Sequence, residues 1–211
     1  MIKHIEQLME AHRDIFKPMP EDEQRNIWTD FLAQMVILEG WKLTDHGIEV
    51  PGTVNFGEDF TDVEELPFKF WTVGGDFLIY NGVLATLAGC PVQVKKTFDC
   101  EGNMLTSLKG GPKFVGAHYE CGWNVLNSLE GAPEFIPGNF SCSNNNLVDL
   151  RGGPRVVMGD YRCENCNIRS FKGAPEYVGG NFYYAKNSVD LEDYKELQKW
   201  WLQLRREGLK I

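Results

Sequence analysis

The sequence lacks the features that mark several large classes of protein. It has no run of 18 apolar residues, so no membrane-spanning helix is expected. Its first residues, MIKHIEQLMEAHRDIF, are interrupted by charges and lack the apolar core of a signal peptide, which predicts a cytoplasmic protein. Lys and Arg (21) are fewer than Asp and Glu (30), giving a net charge of −9. This charge disfavours direct nucleic-acid binding; it favours a basic partner, or it serves only to keep the protein soluble.

Sequence motifs for catalysis are also missing. There is no nucleophile–base motif, no phosphate-binding loop and no dinucleotide fingerprint. Cys163-x-x-Cys166 has no second Cys or His pair at zinc-finger spacing. The six cysteines are expected to be reduced, because those that recur at a fixed interval point alike rather than toward each other. We therefore predict a protein that is not an enzyme and has no cofactor.

What the chain does contain is a repeat of 21 residues. Aromatic residues, prolines and asparagines each return at this interval. These positions are Phe77, Phe98, Tyr119, Phe140, Tyr161 and Phe182; Pro91, Pro112, Pro133, Pro154 and Pro175; and Asn103, Asn124, Asn145 and Asn187, with Gly82 and Cys166 as departures from the asparagine series. A degenerate earlier copy is expected to begin near Phe56. A fixed period near 20 residues predicts a solenoid with one coil per repeat.

Each repeat also predicts its own local structure. The aromatic-x-Cys pattern alternates with period two, which is typical of a short strand that turns both side chains inward. The following asparagine is expected to bond backbone groups of neighbouring coils. The fold class is therefore a mainly β repeat solenoid of about six coils with parallel strands.

The stretch Tyr119-x-Cys121-x-x-Asn124-x-Leu126 has the spacing of the leucine-rich repeat, L-x-L-x-x-N-x-L. Residues 56–189 resemble the short, 21-residue leucine-rich-repeat-like segments of bacterial and bacteriophage proteins. The resemblance implies a leucine-rich-repeat-like solenoid that recognises another protein. It further suggests a phage or bacterial protein that binds and modulates or inhibits a host protein, such as a defence component, in the host cell cytoplasm.

The ends of the chain are expected to cover the solenoid. Residues 1–55 are predicted to form a helical N-terminal cap, residues 56–189 the solenoid and residues 190–211 a C-terminal capping helix. An alternative for the N-terminal helices is a separate docking unit. The oligomeric state is left open.

The outward side of the strands is the candidate binding face, because its residues are not needed for packing. Exposed aromatic side chains dominate interface energetics, and acidic ones suit a basic protein partner. The candidate residues are Tyr80, Asp99, Glu101, His118, Glu120, Trp123, Arg162, Glu164 and Tyr183.

Three alternatives to this hypothesis remain open at this point. One is a metal-dependent enzyme that uses Asp99, Glu101, His118 and Glu120 as ligands. Another is a structural protein that associates with itself through uncapped ends. A third places the interface on the opposite side, where Phe114, Phe135 and Tyr177 recur after the prolines and their orientation is undecided.

Overall fold

The computed structural model describes residues 40–56, 63–66 and 69–207. They form a β-solenoid of about six turns with parallel strands, and the described part of the chain has one helix, near its C-terminal end. This confirms the predicted fold class. The helices predicted within residues 1–39 lie outside the described residues.

One side of the solenoid is a continuous sheet of seven two-residue strands, which we call the front sheet. Its strands are β3 (Val54–Asn55), β5 (Phe77–Leu78), β7 (Phe98–Asp99), β9 (Tyr119–Glu120), β11 (Phe140–Ser141), β13 (Tyr161–Arg162) and β15 (Phe182–Tyr183). They lie side by side in this order, and all pairs are parallel. Each coil therefore places its residues directly beside the equivalent residues of the next.

The opposite side, the back sheet, is interrupted. Its first part contains β1 (Lys42–Thr44), β2 (Gly47–Val50), β4 (Phe70–Val73), β6 (Gln93–Val94) and β8 (Phe114–Val115), and its second part contains β10 (Phe135–Ile136), β12 (Val156–Val157) and β14 (Tyr177–Val178). The break has a local cause at Pro137. Gly116, Met158 and Gly179 each donate a backbone N–H to the preceding coil at this position, and proline has no N–H to donate.

The inward aromatic side chains form a continuous column through the core. From Phe77 to Phe182, neighbouring ring centroids are 5.0–5.9 Å apart. This spacing follows from the parallel register, which stacks equivalent residues at the distance of adjacent strands. The leucines of each coil and the recurring cysteines complete the core, and all six cysteines of the chain are buried free thiols, as predicted.

Buried asparagines connect successive coils, as the sequence predicts. The Asn124 Oδ1 accepts a hydrogen bond from the Leu105 N–H at 3.0 Å, in the preceding coil. Its Nδ2 lies 3.0 Å from the Cys100 carbonyl and 3.0 Å from the Gly122 carbonyl. Asn103, Asn145 and Asn187 repeat this arrangement. The backbone groups at these four turns are thereby satisfied inside the core.

The start of the solenoid differs from its prediction. Parallel pairing already begins at β2 and β3, before the expected boundary at residue 56. Val54 rather than Phe56 lies beside Phe77, so this offset is 23 residues. The offset has returned to 21 by Glu64, whose carbonyl accepts the Ala85 N–H. Two additional residues between Phe56 and Glu64 therefore shift the first coil, and Phe56 takes the inward position that cysteine holds in later coils.

The C-terminal end of the solenoid is covered by helix α1 (Leu191–Glu207). Trp201 lies over Phe182 with a centroid distance of 5.1 Å and continues the aromatic column by one ring. Its Nε1–H donates to the Pro175 carbonyl at 2.8 Å, and Tyr194 packs on Tyr184. This helix falls within the predicted capping segment, 190–211.

Candidate binding face

Alternate residues of the front sheet point outward and form two rows. The first row follows the aromatic positions and consists of Leu78, Asp99, Glu120, Ser141, Arg162 and Tyr183, and the second row consists of Tyr80, Glu101, Gly122, Ser143, Glu164 and Ala185. We call these two rows together with Trp123 the front face. Eight of the nine predicted site residues belong to it, and His118 lies beside it.

Three carboxylates lie together on this face and form what we call the acidic cluster, Asp99, Glu101 and Glu120. Asp99 and Glu120 are register partners on adjacent strands β7 and β9. Glu101 follows on the same side of the chain, and its backbone N–H donates to the Asp99 carboxylate at 3.0 Å. Among the described residues, no ion pair within 4.0 Å involves any of the three. The cluster therefore has negative charge that no neighbouring cation neutralises directly.

The pKa values of these three carboxyl groups are raised, which shows that their ionised forms are disfavoured where they lie. Burial raises the pKa of each, and it is the largest cause in all three cases. For Glu120 the charges of Glu101 and Asp99 add to the burial, whereas Arg162 and a hydrogen bond with Ser141 oppose it, and the pKa is about 7. At neutral pH the Glu120 carboxyl group is consequently protonated in a fraction of the molecules, and an approaching cation would displace this proton.

Gly122 makes room for one of these carboxylates. A Cβ at this position would lie 2.6 Å from the Glu101 Oε1. The Glu101 carboxylate also accepts a hydrogen bond from the Gly122 backbone, which opposes the rise in its pKa. A larger residue in the second row would push the Glu101 side chain away from the sheet.

The C-terminal half of the front face is more nearly neutral. The Arg162 guanidinium pairs with Asp160 at 3.1 Å and lies over the Tyr183 ring, 4.3 Å from its centroid. The Glu164 carboxylate accepts a hydrogen bond from the Ser143 hydroxyl at 3.3 Å. The polar groups in this half already have partners. The acidic half is therefore the part of the face that is better suited to bind a cationic ligand.

Trp123 stands out by its exposure and its backbone. Its side chain is 65% exposed, and its φ of 52° lies in the left-handed region. The equivalent residues of the other coils are Asn81, Gly102, Asn144, Asn165 and Lys186, all with positive φ. Asparagine and glycine tolerate this conformation well, whereas a bulky side chain pays about 1–2 kcal/mol. The tryptophan is thus held in a conformation that its own preferences oppose.

His118 makes a contact within the solenoid that the sequence did not predict. Its Nδ1 accepts the Asn139 backbone N–H at 2.9 Å, so the side chain joins two coils. Asn139 and Asp160 accept from the following coil in the same way. The residues that directly precede the aromatic positions therefore help to hold the coils together. Their polar side chains accept a backbone N–H of the next coil, as a carbonyl does elsewhere.

The metal-site alternative finds no support in this geometry. The described residues contain no group of three or more His, Cys, Asp or Glu side chains arranged to hold a metal ion. The structure does bring Asp99, Glu101 and Glu120 together, but His118 uses its Nδ1 for the bond to Asn139.

On the back sheet the structure resolves which residue of each pair faces outward. Val115, Ile136 and Val178 are buried, whereas Phe114 and Phe135 are 43% and 41% exposed. Tyr177 is half-buried on the same row. This row is apolar with flanking cations, since the Lys95 ammonium lies 5.6 Å from the Phe114 centroid. It lacks the cluster of like charges found on the front face.

Comparison with protein-family models, with curated proteins and with solved structures gave no match to this chain. Among its described residues, no helix has the length and apolarity needed to cross a membrane.

Two features of the face were not evident from the sequence. The strain at Trp123 was hidden, although comparing the residue with its equivalents, which are mainly asparagine, would have indicated a left-handed position. The contact of Gly122 with the Glu101 carboxylate depends on a side-chain conformation that no pattern encodes.

Proposed function

We propose that this chain is a non-enzymatic recognition module that binds another protein through the front face. The partner presents a Lys or Arg side chain to the acidic cluster and an apolar surface to Trp123. The proposal depends on one observation: two neighbouring coils bring together three carboxylates without a cation and one exposed, strained tryptophan.

The scaffold suits such a function because it fixes the face before binding. Every front-sheet strand is bonded to its neighbours, and asparagines tie the turns. A preformed surface loses less conformational entropy on association than a flexible one, so more of the contact energy appears as affinity.

Charge provides the specificity in this proposal. A cation placed against the acidic cluster favours the ionised carboxylates and lowers their pKa values, which burial has raised. Binding is therefore coupled to proton release, and affinity increases as the pH rises toward 7. Attraction between the acidic face and a basic partner also accelerates association.

Trp123 is the expected anchor of the interface. Tryptophan is among the residues that most often dominate binding energy. Backbone strain at an exposed site is also common where function, rather than folding, selects the residue. The resemblance to repeat segments of bacterial and phage proteins supports a host protein as the partner, and its modulation or inhibition remains part of the proposal.

The proposal is tested by comparing capture from a lysate of the source cells. The wild-type chain is compared with Asp99→Lys/Glu120→Lys and with a charge-matched control, Glu134→Lys/Glu196→Lys, whose exposed residues lie off the front face. We expect one protein to be retained by wild type and control but lost from the front-face variant, most clearly at low salt. Equal capture by all three chains, each with an unchanged melting temperature, would refute binding through the acidic cluster.

A further inference from the structure

The pattern of hydrogen bonds between coils stops at the C-terminal edge of the solenoid. At five of the six corners between successive front strands, three hydrogen bonds join one coil to the next, and two of them are present at the corner between Thr97 and His118. The Gly138 N–H donates to the Ala117 carbonyl at 2.9 Å, and the Asn139 N–H donates to the His118 Nδ1 at 2.9 Å. The Tyr119 N–H donates to the Asn139 carbonyl at 3.0 Å.

The same three bonds recur at the next junction. The Gly159 N–H donates to the Gly138 carbonyl at 2.9 Å, and the Asp160 N–H donates to the Asn139 Oδ1 at 2.9 Å. The Phe140 N–H donates to the Asp160 carbonyl at 2.9 Å. They recur once more between the last two coils, through Gly180, Asn181 and Tyr161 as donors. Each corner thus offers one carbonyl, one side-chain acceptor and one N–H to the coil that follows.

The last coil has the same three groups, but no further coil follows to bond with them. They are the Gly180 carbonyl, the Asn181 Oδ1 and the Phe182 N–H. Within the described residues none of the three makes a hydrogen bond, although the Asn181 Nδ2 donates to the Tyr183 hydroxyl at 3.2 Å. Gly180 and Asn181 are exposed, so the corner is accessible from outside.

Helix α1 covers the core at this end but leaves the corner open. Trp201 packs on Phe182 and occupies the place that the next aromatic ring would take. Between the helix and the corner runs a groove of about 340 Å³, lined by Gly180, Asn181 and Phe182 on one side and by Gln198, Trp201 and Leu202 on the other. The three residues that carry the open backbone and side-chain groups thus line this groove.

We propose that this groove binds an extended peptide segment of another protein by adding it to the edge of the solenoid. Two consecutive residues of the peptide make the contacts. The first donates its N–H to the Gly180 carbonyl, and the second donates its N–H to the Asn181 Oδ1 and accepts from the Phe182 N–H. Edge addition of this kind draws its affinity from backbone hydrogen bonds and its specificity from nearby side chains.

The junctions inside the chain also indicate which peptide fits. The first of the two residues is glycine in four junctions, at Gly75, Gly138, Gly159 and Gly180, whereas Lys96 and Ala117 make the same bond in the other two. A Cβ at Gly180 would lie 2.4 Å from the Asp160 Oδ1. Neither residue can be proline, because both must donate an N–H. The described residues that line the groove include no charged side chain. The segment that copies the commonest internal junction is therefore glycine followed by a non-proline residue and then an uncharged, apolar one, with other residues tolerated at the first place as at Lys96 and Ala117. This site is independent of the front face.

The test uses the full chain and a synthetic peptide, acetyl-VGGNAY-amide. It copies residues 178–183, which make these bonds to the preceding coil, with alanine at the aromatic position because Trp201 already occupies that space. A control peptide carries N-methyl groups on the second glycine and the asparagine, which removes both donors. We expect saturable NMR shifts of the Phe182 amide and the Asn181 side-chain amide, and binding at least about tenfold weaker for the control peptide.

Two variants at one position separate binding from folding. Asn181→Asp keeps an acceptor of the type that Asp160 provides in the preceding coil, and it should bind the peptide as wild type does. Asn181→Leu should bind about tenfold more weakly with the same melting temperature. No saturable shift with millimolar peptide, or equal binding of both peptides, would overturn the proposal. Concentration-dependent dimerisation that Asn181→Leu abolishes would assign the groove to a second copy of the chain and would also overturn it.

Discussion

At the scale of single residues, the size of each inward aromatic side chain is matched to that of the residue eight positions before it. A tyrosine is preceded by glycine, and a phenylalanine by a larger residue. The buried hydroxyl groups of Tyr119 and Tyr161 have no hydrogen-bond partner of standard geometry, and each lies where a side chain of a nearby glycine would be. A Cβ on Gly111 would lie 3.0 Å from the Tyr119 hydroxyl, and one on Gly153 would lie 3.3 Å from that of Tyr161. Where the aromatic residue is phenylalanine, the partner is larger, namely Cys90 with Phe98, Ala132 with Phe140, and Ala174 with Phe182.

This matching predicts a measurable coupling between Gly111 and Tyr119. Gly111→Ala should lower the free energy of unfolding by about 1–3 kcal/mol because the added methyl group meets the Leu87 Cδ1, the Tyr119 hydroxyl and the Leu108 carbonyl oxygen. In a Tyr119→Phe background the same change should cost less, because the contact with the hydroxyl is removed while those with Leu87 and Leu108 remain. Tyr119→Phe alone should leave stability unchanged or raise it by about 1 kcal/mol, since it removes an unsatisfied buried group. Urea unfolding of all four chains measures the coupling, and additive effects of the two substitutions would contradict it.

At the scale of the repeated elements, the asparagine turn is the main polar connection inside the core. Asn124→Ala and Asn145→Ala each remove an acceptor for a leucine N–H and a donor to carbonyls of two coils. Leaving a buried backbone group without a partner costs about 1–3 kcal/mol, so both variants should unfold at lower urea concentration. Asn146→Ala, at an exposed neighbouring position, is the matched control and should unfold as wild type does.

The departure at Cys166 allows the reverse experiment. Its thiol donates to the Cys142 carbonyl at 3.1 Å but provides no acceptor for the Leu147 N–H, which has no hydrogen bond in the described residues. Cys166→Asn should complete the series and raise stability by about 1 kcal/mol. A loss of stability in this variant, together with wild-type behaviour of Asn124→Ala, would show that packing rather than hydrogen bonding decides the turn.

The front sheet makes a pH-dependent contribution to stability through Glu120. Its pKa of about 7 in the folded chain lies above the ordinary value of 4.5, so the folded state retains a proton that the unfolded chain has lost. The free energy of unfolding therefore falls as the pH rises from 4.5 to 7. Glu120→Gln removes this titration, so its stability relative to wild type should increase across that window. A difference that stays constant from pH 4.5 to 7 would contradict the burial of this carboxyl group.

At the scale of the whole molecule, the sequence predicts the fold well because the same residue types recur at the same place in successive repeats. The interval of Phe98, Tyr119 and Phe140 determines the coil length, and the alternation with cysteine determines which side faces inward. The first coil was misplaced because its two extra residues precede Glu64, where the pattern is weakest, and so Phe56 was assigned to the wrong row. Register there depends on pairing that no local pattern reveals.

The candidate site was predicted only in part. Outward positions such as Asp99 and Glu120 follow directly from the alternation. His118 was included for the same reason, yet its bond to Asn139 depends on the close approach of two corners, which the alternation does not describe. The open groups at Gly180 and Phe182 also escaped prediction, because they result from where stacking ends and where α1 packs.

The central claim, that the front face binds a partner and is separate from the residues that hold the coils together, is tested most directly at Trp123. Asparagine occupies the equivalent left-handed position in three other coils, so Trp123→Asn is compatible with the backbone. Val148→Asn, which also removes an exposed apolar side chain but lies off the front face, serves as the control.

The measurement is the affinity of each chain for the protein that wild type captures, determined by titration calorimetry. The melting temperature of each chain is measured as well. We predict that Trp123→Asn weakens binding by on the order of 2 kcal/mol, about thirtyfold, with an unchanged or higher melting temperature, and that Val148→Asn binds as wild type does. Wild-type affinity in a folded Trp123→Asn chain would contradict the claim.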